Sequence, residues 1–128
     1  ENLTMLEREL NEFGRRMGMP AFSPSPAGLA ALDVERLGRL HLELAENAGE
    51  RELLVYLARA VPEYDVKAPR RVLERCHYRH ADPMPLSGGL HKGHIILLTR
   101  FPERQATAAG IEKAVQFLGG VMDAVANA

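Results

Sequence analysis

Residues 40 to 44 of this chain are Leu40-His41-Leu42-Glu43-Leu44, and this stretch decides the fold. Successive side chains of a β-strand point to opposite faces of a sheet, so leucines at every second position predict a strand with one buried and one hydrated face. Sheets that are hydrated on one side are typically antiparallel. The stretch therefore indicates an antiparallel sheet that is covered on a single face.

Four more strands are predicted around this one. The segment Leu29 to Val34 precedes it. The segment Leu53 to Ala60 follows it and is apolar on both faces, which predicts a strand that is central in the sheet or covered on both sides. Two later segments, Met84 to Leu90 and His94 to Phe101, flank Lys92-Gly93 and predict a hairpin.

Three segments have apolar side chains at the spacing of amphipathic helices. The first ends near Gly18 and carries Leu3, Leu6, Leu10, Phe13 and Met17. The second begins near Pro69 and carries Val72, Leu73 and Cys76, and the third carries Ile111, Ala114, Val115, Leu118, Val121, Met122 and Val125. The predicted fold is α+β, a single domain over residues 1–128. Its order is helix, three strands, helix, two strands, helix, with helices flanking a twisted antiparallel sheet.

Composition excludes several kinds of partner. The 16 Lys and Arg are balanced by 17 Asp and Glu, which gives a net charge of -1. The chain therefore has no net positive charge to attract a phosphate backbone, and no nucleic acid partner is expected. The longest apolar run, Leu53 to Ala58, is far shorter than the ~20 residues that span a bilayer, and residues 1–10 are too charged for a secretory signal. Cys76 is the only cysteine, which suits a reducing compartment. We expect a cytoplasmic protein without a membrane partner.

One short motif suggests an alternative function. His91-Lys92-Gly93-His94 is similar to the ATP-binding signature of nucleotidyltransferases, in which two imidazoles stabilise charge on the phosphates. In those enzymes the motif opens a helix, whereas here it precedes the strand-like Ile95-Ile96-Leu97-Leu98. A nucleotide-binding enzyme that uses His91 and His94 is therefore kept as an alternative, and no catalytic residue is assigned.

Histidine and cysteine side chains are also possible metal ligands. Cys76, His77 and His80 lie close together on the second predicted helix, and His91 and His94 follow nearby. On a continuous strand His91 and His94 point to opposite faces, and no carboxylate is obviously placed to orient an imidazole. We therefore expect surface histidines, no metal and no cofactor.

The order of elements and several local strings together resemble the class I type III secretion chaperones, especially those of the SycN kind. The similarity runs from about Leu3 to Val125. The strings are Gly18-Met19-Pro20, Leu40-His41-Leu42-Glu43-Leu44, Leu57-Ala58-Arg59, and Pro85-Leu86-Ser87-Gly88-Gly89-Leu90 leading to Ile95-Ile96-Leu97-Leu98. The chain departs from the family pattern because it has no tryptophan and is nearly neutral.

The resemblance implies a non-catalytic, ATP-independent chaperone that keeps the N-terminal region of a secreted protein extended around its surface. Chaperones of the SycN kind pair with a second small chaperone of the YscB kind to hold a gatekeeper protein of the YopN kind. The expected partners are therefore the N-terminal segment of a secreted gatekeeper or effector, and either that second chaperone or a second copy of this chain. A structural scaffold subunit of another assembly is the other alternative.

Two sets of apolar residues are the candidate binding residues. One set exceeds what a single sheet face needs, lies where family members dimerise, and consists of Val72, Leu73, Cys76 and Leu86. An extended chain that adds to a sheet edge places its side chains in neighbouring grooves. The residues expected to border such grooves are Leu6, Leu10, Phe13, Leu29, Leu32, Leu40 and Leu42. The same residues also suit an ordinary core.

Overall fold

The computed structural model describes residues 4–19, 30–77 and 81–126. The helices in these residues are α1 (Met5–Arg16), α2 (Ala68–His77) and α3 (Ala108–Ala126). The strands are β1 (Ala30–Val34), β2 (Gly38–Asn47), β3 (Glu50–Ala60), β4 (Ser87–His91) and β5 (His94–Pro102), and a 3₁₀ turn, Glu103–Gln105, leads into α3. The predicted order of helices and strands is confirmed.

The five strands form one antiparallel sheet in the order β1-β2-β3-β5-β4. β3 lies at the centre, which confirms the prediction made from its apolar residues on both faces. β3 pairs with β5 and not with β4, the next strand in the chain. β4 therefore lies at one edge of the sheet, and β1 lies at the other.

The strand register sorts the side chains into an inner and an outer face. On the inner face Leu42 lies opposite Val55, and Val55 lies opposite Thr99. α3 packs on β3 and β5, while α1 and α2 both pack against α3. Phe13 of α1 and Met122 of α3 belong to the same buried core as these inner-face residues. The three helices therefore cover one face of the sheet, as the alternation at residues 40–44 predicted.

Some element boundaries differ from those predicted. β4 begins at Ser87 and not at Met84, because Pro83 and Pro85 lack the N–H groups that a strand ladder requires. β2 and β3 both extend past their apolar residues, to Asn47 and from Glu50, where exposed polar residues continue the ladder as far as the turn. The predicted elements also included Leu3, Leu29 and His80, which lie outside the described residues.

Two hairpins have two-residue turns in the left-handed region of the backbone. Ala48 (φ 54°) and Gly49 (φ 82°) join β2 to β3, and Lys92 (φ 48°) and Gly93 (φ 77°) join β4 to β5. Positive φ at both central residues is the type I′ geometry, whose twist matches that of the flanking strands. The hairpin predicted at Lys92-Gly93 is confirmed.

α1 is fixed to α3 by a carboxylate. Glu9 Oε1 accepts a hydrogen bond from the backbone N–H of Ala108 at 2.7 Å, which satisfies one of the free amides in the first turn of α3. Farther along α1, Arg16 Nη1 lies 3.4 Å from Glu112 Oε1. These contacts hold α1 against the helix that packs on the centre of the sheet.

Candidate protein-binding surfaces

The outer face of the sheet carries an apolar patch at its centre. Its members are Leu54, Tyr56 and Ala58 of β3 with Ile96 and Leu98 of β5, and we call these five residues the outer patch. Tyr56 lies opposite Leu98, and Ala58 lies opposite Ile96. No helix in the described residues packs on this face. Leu54 is 9% exposed and the other four side chains are half-buried, so the outer patch is a partly accessible apolar surface that no helix of the described residues covers.

Polar groups of β2 border the outer patch. The imidazole of His41 packs edge-on against the ring of Tyr56, with 5.4 Å between ring centres. His41 Nε2 lies 3.6 Å from a carboxylate oxygen of Glu43. Burial, and then the charge of Glu43, raise the pKa of Tyr56 above its usual value, so its phenol stays neutral. The border combines an aromatic surface with groups that can form hydrogen bonds, a combination suited to a protein contact.

The predicted substrate-binding residues lie at different depths. Leu10, Phe13, Leu40 and Leu42 are all in the core with 2% of their surface or less exposed. Leu6 and Leu32 are half-buried and pack against that core. Leu29 lies outside the described residues. Among the described members of the set, only Leu6 and Leu32 have surface that a ligand reaches without the core opening.

The structure brings the predicted dimer residues together around α2 and β4. Val72 is 2% exposed, whereas Leu73, the next residue on α2, is 55% exposed. Cys76 and Leu86 are partly buried against the core. A Cβ atom on Gly88 of β4 would lie 2.7 Å from Cys76 Sγ, so the absence of a side chain there lets α2 approach β4 closely. Burial raises the pKa of the Cys76 thiol, which disfavours the thiolate.

Apolar side chains that are more exposed than those of the outer patch occur near the start of α2 and on β4. Tyr64 and Val66 precede α2 and are 85% and 80% exposed, and Leu90 of β4 is 39% exposed. Sequence patterns did not single out these three residues, nor the outer patch. For the outer patch a signal was present, since the segment Leu53 to Ala60 is apolar on both faces.

His91 and His94 are directly opposite each other at the end of the β4–β5 hairpin. The expectation that they point to opposite faces is wrong, because the turn at Lys92-Gly93 reverses the chain between them. His94 Nδ1 lies 3.1 Å from the Lys92 carbonyl oxygen. The motif forms a tight turn and does not open a helix, which counts against the nucleotide-binding alternative.

Residues 4–19, 30–77 and 81–126 contain neither a group of metal-ligating side chains nor a helix that could span a membrane. No three His, Cys, Asp or Glu side chains are grouped as they would be around a metal ion. No helix in these residues has the length and apolar character needed to cross a membrane.

Three solved structures have a similar fold. The chain is similar to SycH of Yersinia pestis, solved in complex with a stable fragment of YscM2, with 14% identity, coverage of 96% of this chain and 98% of that chain, and a TM-score of 0.66. The HopA1–SchA chaperone–effector complex matches with 15% identity, 99% and 100% coverage and a TM-score of 0.67. The ExoT–SpcS complex from Pseudomonas aeruginosa matches with 18% identity, 95% and 98% coverage and a TM-score of 0.59. At these identities the similarity establishes the fold alone.

The family follows from a comparison with family models. No curated protein matches the chain. The model described as type III secretory system chaperone SycN matches residues 5–126, a range that includes every helix and strand given above. The three helices on an open antiparallel sheet agree with the fold of the solved chaperones. The chain belongs to the SycN family of type III secretory system chaperones.

Proposed function

We propose that this chain binds the N-terminal region of a secreted gatekeeper or effector protein and keeps it competent for secretion. The observation that carries the proposal is the outer patch, a half-buried apolar surface that no described helix covers, in a chain whose family consists of chaperones. Exposed apolar patches on a soluble domain commonly mark protein-binding sites. Two of the similar structures, SycH with a fragment of YscM2 and SchA with HopA1, hold a chaperone with a bound protein, which supports the same role here.

The proposed mode of binding combines backbone and side-chain contacts. β1 is an edge strand, and no other strand of the described residues pairs with its outer side, which suits the addition of a further extended chain. Leu32 on β1 and Leu6 on α1 provide half-buried apolar surface, and the outer patch provides a second region. Apolar contact must outweigh the entropy lost when a disordered segment is ordered, so binding is expected to show a negative heat-capacity change.

The test is limited proteolysis of candidate substrate segments. N-terminal regions of secreted gatekeeper and effector proteins are mixed with this chain, together with any partner chaperone, and digested with trypsin. We expect a segment of one of them to become resistant to cleavage. Replacement of Leu98 by Asp should remove that resistance, because it places a charge in the middle of the outer patch.

A matched control is available on another surface. Met5 is 77% exposed and lies on α1, so Met5→Asp introduces the same charge at an exposed apolar position outside the outer patch. Protection should survive this change. If no segment is protected, or if Met5→Asp and Leu98→Asp lower protection equally, the proposed function is wrong.

We also propose that the chain acts in a dimer, either with a second small chaperone or with its own copy. Leu73 supports the interface because it is exposed on α2 next to the buried Val72 and near the partly buried Cys76. Within the predicted set of four, Leu73 is the residue that a partner can contact directly, Val72 holds α2 on the sheet, and Cys76 and Leu86 are partly buried against the core. The test is light scattering of the chain alone and with a candidate partner. Leu73→Arg should produce a monomer, whereas Met5→Arg should not.

The proposed function requires neither catalysis nor a nucleotide, and we place it in the cytoplasm, before the secreted protein is exported. The nucleotide-binding alternative predicts that ATP raises the melting temperature of the chain, and the chaperone function predicts no such shift.

A further inference from the structure

An open cleft of about 580 Å³ lies at one end of the sheet, where β1 turns into β2. By register, Asp33, Arg39 and Ala58 are neighbours on the outer face of β1, β2 and β3, and all three line the cleft. Ala58 also belongs to the outer patch. The cleft is therefore continuous with the apolar surface proposed to bind the secreted protein.

A half-buried arginine holds the turn that forms the wall of the cleft. Arg59 donates hydrogen bonds to the carbonyl oxygens of Arg36 (3.0 Å) and Leu37 (2.9 Å), and its Nη1 donates to Asp123 of α3 (2.9 Å). Leu37 is packed so closely against α3 that a Cβ atom on Gly119 would lie 2.7 Å from its Cδ1. The turn is thus fixed to α3, and the charge of Arg59 is already balanced by Asp123.

Two other arginines in the cleft have charge available for a ligand. Arg36 is exposed at the tip of the turn in a left-handed conformation (φ 69°), and its guanidinium has no acidic partner within 4.0 Å in residues 4–19, 30–77 and 81–126. Arg39 lies 3.2 Å from Asp33, but their side chains are 58% and 80% exposed, and such exposed pairs are weak enough to exchange partners. Asp33 and Glu35 are the acidic groups of the lining and oppose an incoming anion.

We propose that this cleft receives a carboxylate side chain of the bound polypeptide, held by Arg36 and Arg39. The inference rests on the proposed function and adds a determinant of which segment is selected. A guanidinium group is planar and pairs with a carboxylate through two parallel hydrogen bonds, which gives orientation as well as charge. Since the floor continues from Ala58 to Ile96, the favoured segment has an acidic residue at one end and apolar residues after it.

The experiment uses short synthetic peptides that carry a fluorescent label. The first peptide has two glutamates at one end followed by alternating leucine and alanine. The second has lysines in place of the glutamates. Each peptide is also made with its two charged residues at the opposite end. Binding to the full chain is measured by fluorescence anisotropy at low ionic strength, where screening is weak. We expect the glutamate peptide to bind at least about fivefold more tightly than the lysine peptide.

Charge reversal in the cleft provides the decisive comparison. The double variant Arg36→Glu/Arg39→Glu should reverse the preference, because it replaces the positive charges of the cleft by negative ones. The turn should keep its structure, because Arg59 contacts the backbone carbonyl of Arg36 and not its side chain. The control Arg51→Glu/Arg104→Glu makes the same change in net charge at the opposite end of β3, where both arginines are exposed in ion pairs. Circular dichroism checks that each variant is folded.

The inference is overturned if wild type does not distinguish the peptides, if neither peptide binds, or if the control variant reverses the preference as well. Its failure is distinguishable from failure of the proposed function. If the cleft variant still protects the N-terminal region of a secreted protein from trypsin as well as wild type does, the chaperone function stands and the cleft does not select the acidic residue.

Discussion

Thr99 is a polar side chain in an apolar environment. It is 1% exposed on the inner face of β5, and its hydroxyl has no hydrogen-bond partner among the described residues. A buried hydroxyl without a partner destabilises the folded state, so Thr99→Val should raise the free energy of unfolding by about 1 kcal/mol. Urea denaturation measures this change.

The control for Thr99 is the same substitution where the hydroxyl does have a partner. Thr107 Oγ1 accepts a hydrogen bond from the N–H of Gly110 at 3.0 Å in the first turn of α3. Thr107→Val should therefore lower the free energy of unfolding by about 1 kcal/mol. A loss of stability in both variants would contradict the assignment of Thr99 as an unsatisfied buried group.

Ala48 is a second residue whose side chain does not suit its position. Its φ of 54° lies in the region that favours Asn and Gly, and Gly49 follows it, so Ala48→Asn would create the favoured Asn-Gly type I′ turn. We expect a gain of roughly 0.5–1 kcal/mol in the free energy of unfolding, measured by urea denaturation. Lys92→Asn at the equivalent position of the second hairpin should also stabilise, whereas Ala60→Asn in a strand should not.

At the scale of elements, the packing of α2 on β4 depends on a glycine. A Cβ on Gly88 would lie 2.7 Å from Cys76 Sγ and 2.9 Å from Leu97 Cδ2, while a Cβ on Gly89 would meet nothing within 4 Å. Gly88→Val should cost about 1–3 kcal/mol of stability because it forces α2 away from the sheet. Gly89→Val, at the next residue of the same strand, should cause no loss. Equal effects in urea denaturation would show that crowding under α2 is not the cause.

The loop before α2 is fixed by a pair of charges. Arg71 Nη1 donates to Asp65 Oδ1 at 3.0 Å, and Arg71 Nε donates to the carbonyl oxygen of Val125 at the end of α3. The hydrogen bonds from Arg71 hold the pKa of Asp65 below its ordinary value. A lowered pKa in the folded state means that the pair stabilises the protein above the unfolded pKa, and that this stabilisation is lost as pH falls through the folded pKa.

Asp65→Asn should therefore weaken the acid sensitivity of the protein. Below about pH 4, the free energy of unfolding of wild type should fall more steeply than that of Asp65→Asn, and the two curves should run parallel near neutral pH. Urea denaturation across this pH range provides the measurement. The control is Asp33→Asn, because the Asp33–Arg39 pair is largely exposed and should contribute less. Parallel curves at all pH values would contradict the role given to Asp65.

At the scale of the whole molecule, the proposed dimer should appear in the stability of the chain. Folding that is coupled to association makes the melting temperature rise with protein concentration. We expect such a rise for the chain alone if it pairs with its own copy, or for the mixture if it pairs with a second chaperone. Leu73→Arg should abolish the rise while Met5→Arg preserves it. A melting temperature independent of concentration in every case would contradict the dimer.

Local patterns in the sequence determined the elements and their order. The leucines of residues 40–44 predicted a strand with one buried face, which is confirmed. The apolar residues on both faces of Leu53 to Ala60 predicted a strand that is central or covered on both sides, and the first of these is what the sheet order shows. These predictions succeed because the period of a strand or helix is a property of consecutive residues. The resemblance of several such strings in the right order was also sufficient to indicate the family.

Only the tertiary structure decided which apolar residues lie against the helices and which lie on the other face of the sheet or at the surface. Leu97 and Leu98 are adjacent in β5, yet Leu97 is buried under the helices while Leu98 is half-buried in the outer patch. Val72 and Leu73 are adjacent on α2, yet one is buried and the other is 55% exposed. The sequence could not separate these cases, because the face of the sheet that the helices cover depends on packing between segments distant in the chain. The same packing joins the turn of β1 and β2 to α3 through Arg59 and thereby forms the cleft.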